Sequence, residues 1–102
     1  MSFVLKTVQK EKERIEYMLE LYRQQLNNLP KGSVVQKIVN QNVYFYLKYR
    51  DGKKIFTDYL GKDGEKVQNV REKLEKRRHI EAMIAHLKSE YLLANKVLGG
   101  KI

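Results

Sequence analysis

Apolar residues recur near the start of the chain at Val4, Val8, Ile15, Leu19, Tyr22 and Leu26, at three-, four- and seven-residue spacings. A helix turns once in 3.6 residues, so this spacing lays them along one face and predicts a helix over residues 3–28 with Ser2 as its N-cap. Tyr17, Met18 and Leu21 widen the stripe, so more than one neighbour is expected to pack on it. Asn27-Asn28-Leu29-Pro30 stops the helix, because proline lacks an N–H and disfavours helical geometry in the residue before it.

The pattern then changes from helical spacing to alternation. Val34 to Val39 is β-branched enough for a strand, and Asn40-Gln41-Asn42 is a polar link to the next. In Tyr44-Phe-Tyr-Leu-Lys-Tyr-Arg-Asp-Gly-Lys-Lys-Ile-Phe-Thr-Asp-Tyr-Leu60, apolar and polar residues alternate around Asp51-Gly52. An Asp-Gly pair there favours a two-residue type I′ turn, which pairs Arg50 with Lys53, Lys48 with Ile55, Tyr46 with Thr57 and Tyr44 with Tyr59. One face then carries Val43, Phe45, Leu47, Tyr49, Phe56 and Leu60 and is the expected core side. The other carries Tyr44, Tyr46, Lys48, Arg50, Lys53, Thr57 and Tyr59. Asp58 falls on the core side, which requires either an exposed edge or a bulge that re-aims it.

Gly61-Lys-Asp-Gly64 closes the sheet, and Asp63 reads as the N-cap of a second helix with Glu65 in its first turn. Val67, Val70, Leu74, Ile80, Ile84, Leu87, Tyr91 and Leu98 carry that helix over 63–98, with Gly99-Gly100 as its end. Such a helix is about 50 Å long against about 23 Å for a seven-residue strand, so the sheet cannot cover it. The remainder, with Met83, Leu92, Leu93 and Val97 beside the main stripe, is expected to pack on the first helix or on another subunit, in the manner of a coiled coil. The fold class is therefore α+β, one domain over 1–102: a three-stranded antiparallel meander, 34–60, between two long helices packed as an antiparallel hairpin.

Composition changes this picture chiefly through charge. The chain of 102 residues carries a net +9, and residues 48–78 hold eleven Lys/Arg against six Asp/Glu. More than half of the excess thus lies in the hairpin and the start of the second helix, which makes an anionic partner a serious candidate. Cysteine is absent, which excludes disulfides and thiolate metal sites and fits a reducing, cytoplasmic setting. No apolar run approaches the roughly 20 residues of a membrane helix, and no signal-peptide core is present.

Tyrosines between cations on one sheet face suit nucleic acid: rings stack on bases while Lys and Arg meet phosphates. The candidate set is Tyr44, Tyr46, Lys48, Arg50, Lys53, Lys54 and Tyr59, extended by Arg77 and Arg78, since Arg77 interrupts the apolar stripe. The competing reading is that a helix covers the tyrosines and the cations merely rim them; a charge run such as Lys73 to Arg78 is more often a solvated face. Enzymatic sites find no support. The serines, Ser2, Ser33 and Ser89, lie in no motif with a base, and the loop after the sheet lacks phosphate-loop spacing. His79 and His86 with Glu75 and Glu90 lack a metal-site pattern, so neither metal nor cofactor is expected.

Leu29-Pro-Lys-Gly-Ser-Val-Val35, Tyr44-Phe-Tyr-Leu-Lys-Tyr-Arg-Asp-Gly-Lys-Lys54, Tyr59-Leu-Gly61 and the long charged helix together resemble an uncharacterised family of short bacterial and mobile-element proteins, over residues 28–98. That resemblance implies a small sheet with an aromatic strand between helices; the cysteine-rich insertion of many relatives is missing here, so no metal role carries over. The strand, Arg-Asp-Gly-Lys turn, strand and Leu-Gly order is also similar to the arm-binding domains of tyrosine recombinases, which implies sheet contact with DNA. The expected function is nucleic-acid binding, with DNA as the partner. The alternative is a protein-interaction module, a phage-type inhibitor or assembly factor, acting through its helices or as a homodimer.

Overall fold

The computed structural model describes residues 2–99. Its elements are α1 (Phe3–Asn27), β1 (Ser33–Val39), β2 (Asn42–Asp51), β3 (Lys54–Gly61) and α2 (Glu65–Gly99). This is the expected α+β arrangement, a strand meander between two helices in chain order. It forms two compact units: one takes the chain up to Asn28 and from His79 onward, the other takes Leu29–Arg78. α2 contributes to both.

In the helical unit, the Ser2 side chain accepts a hydrogen bond from the Leu5 N–H at 3.1 Å and so starts α1. At the other end Asn28 caps the helix, its N–H bonded to the carbonyls of Gln25 and Leu26, and Pro30 follows. Ile15 and Leu19 on α1 meet Leu87 on α2, flanked by Met18, Tyr22, Ile84 and Tyr91. Lys12 lies 5.4 Å above the Tyr91 ring, whose hydroxyl donates to Glu16. Early α1 residues thus meet late α2 residues, and the helices pack antiparallel. Burying each such aliphatic side chain contributes about 1.5–3 kcal/mol. Tyr17 stays exposed, and Val4 lies outside the buried stripe. On the solvent side Arg14 donates to Glu11 at 2.6 Å, a hydrogen bond that holds this carboxyl below its ordinary range.

In the sheet unit the strands lie in the order β1-β2-β3, each pair antiparallel. The first turn holds Asn40 and Gln41 at φ 51° and 69°. Positive φ at both positions is the type I′ form, and it pairs Val39 with Asn42, Lys37 with Tyr44 and Val35 with Tyr46. The second turn differs from the Asp51-Gly52 expectation. Asp51 is the last residue of β2, opposite Lys54, and the loop is Gly52-Lys53 with positive φ at Gly52. A turn of type II′ needs positive φ only at its first position, where glycine adopts it freely; the Asp51-Gly52 alternative would force Asp51 there at a cost of about 1–2 kcal/mol.

This one-residue shift of the loop keeps every paired side chain on its expected face, takes Lys53 into the turn and moves each partner by two residues. Tyr46 lies opposite Tyr59 instead of Thr57, Lys48 opposite Thr57 instead of Ile55, and Arg50 opposite Ile55 instead of Lys53. A register irregularity between Phe45 and Tyr46 then brings Gly61 opposite Phe45, so Tyr59 is no longer the direct partner of Tyr44. Asp58 sits opposite Leu47 and is exposed on the edge strand, so no bulge is needed to re-aim it.

One sheet face packs on the start of α2. Phe45, Leu47 and Leu60 form a cluster with Val67 and Leu74, joined by Val34, Tyr49 and Val70. Tyr49 stacks on Phe56 at 5.4 Å, and burial, then the charge and hydrogen bonding of Asp58, push its hydroxyl pKa up. α2 begins at Glu65, two residues later than expected. Gly64, not Asp63, occupies its cap position, its carbonyl accepting from the Gln68 N–H at 3.0 Å. Gly99 is the last residue of α2, while Gly100 lies outside the described residues.

Candidate nucleic-acid interface

Because α2 takes the Phe45-Leu47-Leu60 face, residues 65–78 leave the opposite face of the sheet uncovered. Register and alternation place on it Val35, Lys37 and Val39 from β1, Tyr44, Tyr46, Lys48 and Arg50 from β2, and Ile55, Thr57 and Tyr59 from β3. Tyr59 is 55% exposed, while Tyr44 and Tyr46 are half-buried. The Tyr59 ring lies 5.3 Å from Tyr46 at 56° and 6.3 Å from Tyr44 at 48°. With Val39 these rings line a hollow of about 490 Å³.

Two lysines cap the rings. The Lys37 ammonium is 4.9 Å from the Tyr46 centroid and that of Lys62 is 5.8 Å from Tyr44. Beyond the rings, at the β1 entry, a second hollow of about 460 Å³ is lined by Gly32, Ser33, Val35, Lys48, Tyr49, Arg50 and Ile55. Lys48 and Arg50 are exposed, so their charges face solvent beside the tyrosines. The surface therefore offers ring faces and exposed cations together, the combination that meets bases and phosphates.

The nine residues singled out from the sequence do not all gather here. Tyr44, Tyr46, Tyr59, Lys48 and Arg50 share the face, and Lys53 occupies the turn at its end. Lys54 pairs with Asp51 in the alternate register position, toward the α2 side. Arg77 is half-buried and donates to the Leu29 carbonyl at 3.2 Å. That bond explains the cation in the apolar stripe: it ties α2 to the segment that leads into β1. Arg78 lies in an exposed pair with Glu75 at 2.6 Å. Lys37 and Lys62 were missed. The Asn40-Gln41 turn is the signal that would have placed Lys37, because a two-residue loop there fixes its position opposite Tyr44.

Elsewhere, His86 pairs with Glu90 at 3.2 Å on an exposed helix surface. No three His, Cys, Asp or Glu side chains among the described residues gather as a metal site. Among the same residues, no helix is long and apolar enough to cross a membrane.

The profile of a domain of unknown function, DUF6788, matches residues 5–69. The chain belongs to the DUF6788 family. The match covers nearly all of α1, the whole sheet and the first residues of α2. The DUF6788 region therefore contains every tyrosine and cation of the uncovered face, whereas Arg77 and Arg78 lie beyond it. No curated protein and no solved structure matches the chain.

Proposed function

We propose that this protein binds nucleic acid, with DNA as the expected partner, through the uncovered face of its sheet. The observation that carries the reading is the juxtaposition of Tyr44, Tyr46 and Tyr59 with Lys37, Lys48, Arg50 and Lys62 on that face. The formal charge of +9 supports it through attraction of a polyanion. The resemblance to recombinase arm-binding domains expected from the sequence makes DNA the first probe. Fluorescence anisotropy with labelled oligonucleotides at low salt tests the proposal. Binding by the native chain, weakened in the combined Lys48→Glu and Arg50→Glu variant with unchanged circular dichroism, supports it. Absence of binding to duplex and single-stranded probes at low salt rejects it.

A second reading rests on the helical unit. Leu92, Leu93 and Val97 are 66%, 64% and 45% exposed, and Val8, Ile15, Leu93, Ala94 and Val97, together with Glu11 and Glu90, line a cleft. These residues suit a protein partner or a homodimer, as in an inhibitor or assembly factor. Light scattering discriminates: a strict monomer removes the homodimer from this reading.

A further inference from the structure

Resting on the nucleic-acid reading, we infer that the Tyr44-Tyr46-Tyr59 hollow receives an unpaired base, so that the ligand is single-stranded and not a duplex groove. Two features of the hollow lead there. It is a depression of about 490 Å³ open to solvent, so a planar group can settle on its rings from outside. The Tyr44 and Tyr46 rings are inclined at 48° and 56° to the Tyr59 ring, so the three form a shallow aromatic cup broadly open to solvent. A base inside a duplex is already stacked on both sides and cannot enter a cup; an unpaired one can turn into it.

The lysines over the rings fit the same exchange. An ammonium over an exposed ring contributes a factor of roughly two to five in its own equilibrium. A base stacked on an aromatic ring contributes roughly 5- to 150-fold in affinity. Stacking therefore displaces Lys37 and Lys62 from Tyr46 and Tyr44. The freed ammonium groups then lie beside the entering nucleotide, where its phosphates are.

The charge continues in the direction a single strand would take. Tyr44, Tyr46, Lys48 and Arg50 follow one another at every second residue of β2, about 6.8 Å apart, over about 20 Å. A strand with one base in the cup would run its backbone past Lys48 to Arg50 and the hollow between Ser33 and Ile55. Stacking fixes the register there, and it does not select which base is bound.

The test uses the whole chain and four probes of equal length: single-stranded DNA, single-stranded RNA, duplex DNA and a single DNA strand with abasic sites along its centre. The expected result is binding of a single strand at least roughly tenfold tighter than duplex and than the abasic strand. Tyr59→Ala is exposed on an edge strand and should fold; it should lose that preference, while Tyr59→Phe, which keeps the ring, should retain it. The two single-stranded probes decide whether the unpaired base comes from DNA or RNA, and either preference is consistent with the inference. Equal affinity for all four probes, with Tyr59→Ala unchanged and the Lys48/Arg50 variant weakened, overturns the cup and leaves nucleic-acid binding standing. Failure to bind any probe overturns both.

Discussion

Gly32 provides a sharp test of how the sheet face is assembled. It adopts φ +107°, and a Cβ built on it would collide with the Lys48 carbonyl oxygen and come within 2.8 Å of Tyr49 Cβ. Gly32→Ala therefore meets two penalties. Holding a residue with a side chain in that backbone region costs about 1–3 kcal/mol, and forcing extra volume into packed surroundings costs about 1–3 kcal/mol more. The combined loss of roughly 2–6 kcal/mol is a large fraction of the 5–15 kcal/mol typical of a folded protein. At about 4–8 °C per kcal/mol the melting temperature should fall by roughly 10 °C or more. Gly52→Ala is the control, since its Cβ meets nothing within 4 Å and only its φ of +63° is at stake, a cost of about 1–2 kcal/mol. Thermal and urea unfolding followed by circular dichroism measure both variants. A Gly32→Ala loss no larger than that of Gly52→Ala would refute the close approach of the β1 entry to β2.

Arg77→Met should lower stability by about 1.5–3 kcal/mol through loss of the charged hydrogen bond to the Leu29 carbonyl, while leaving oligonucleotide affinity unchanged; a binding defect without destabilisation would assign Arg77 to the interface. Leu74→Ala and Leu87→Ala each remove a buried side chain, from the sheet cluster and the helical cluster respectively, and should each cost about 2–5 kcal/mol in urea unfolding. They belong to separate clusters that share no residue, so their effects should add; a coupling above about 0.5 kcal/mol contradicts two separate clusters. Tyr49 is held neutral by burial and the nearby Asp58, so its stability contribution is complete below the ordinary tyrosine pKa of about 10 and is lost as pH rises through the higher folded value. Tyr49→Phe should lessen the alkaline loss of stability, and an unchanged pH profile would contradict this.

The helices were legible because their apolar spacing extends over many turns, so an error at one position leaves the face intact. Ser2, Ile15, Leu19, Val67, Leu74 and Leu87 take the places that pattern predicts. Hairpin parity was also legible, because alternation assigns faces whichever of the two loops is used. Partner identity was not, since both the Asp51-Gly52 and the Gly52-Lys53 loop put positive φ on Gly52 and differ in whether Asp51 bears it too. The same limit explains why Lys37 and Lys62 were missed: ring contact with a flexible ammonium depends on strand register, and lysine itself carries no local signal for it. The partner of Arg77, singled out as a break in the apolar stripe, was not legible for a different reason. That partner is a backbone carbonyl 48 positions away in the chain, and side-chain patterning does not encode such a bond.

The salt dependence of oligonucleotide affinity is the most direct measure of the proposed interface. Lys37, Lys48, Arg50 and Lys62 neutralising four phosphates would give a slope of log affinity against log salt of about −3 for a single strand, a loss of roughly 50-fold between 50 and 200 mM salt. Removing Lys48 and Arg50 together should halve that slope. An affinity that barely changes with salt, or a slope untouched by the double substitution, would contradict phosphate contact through this face.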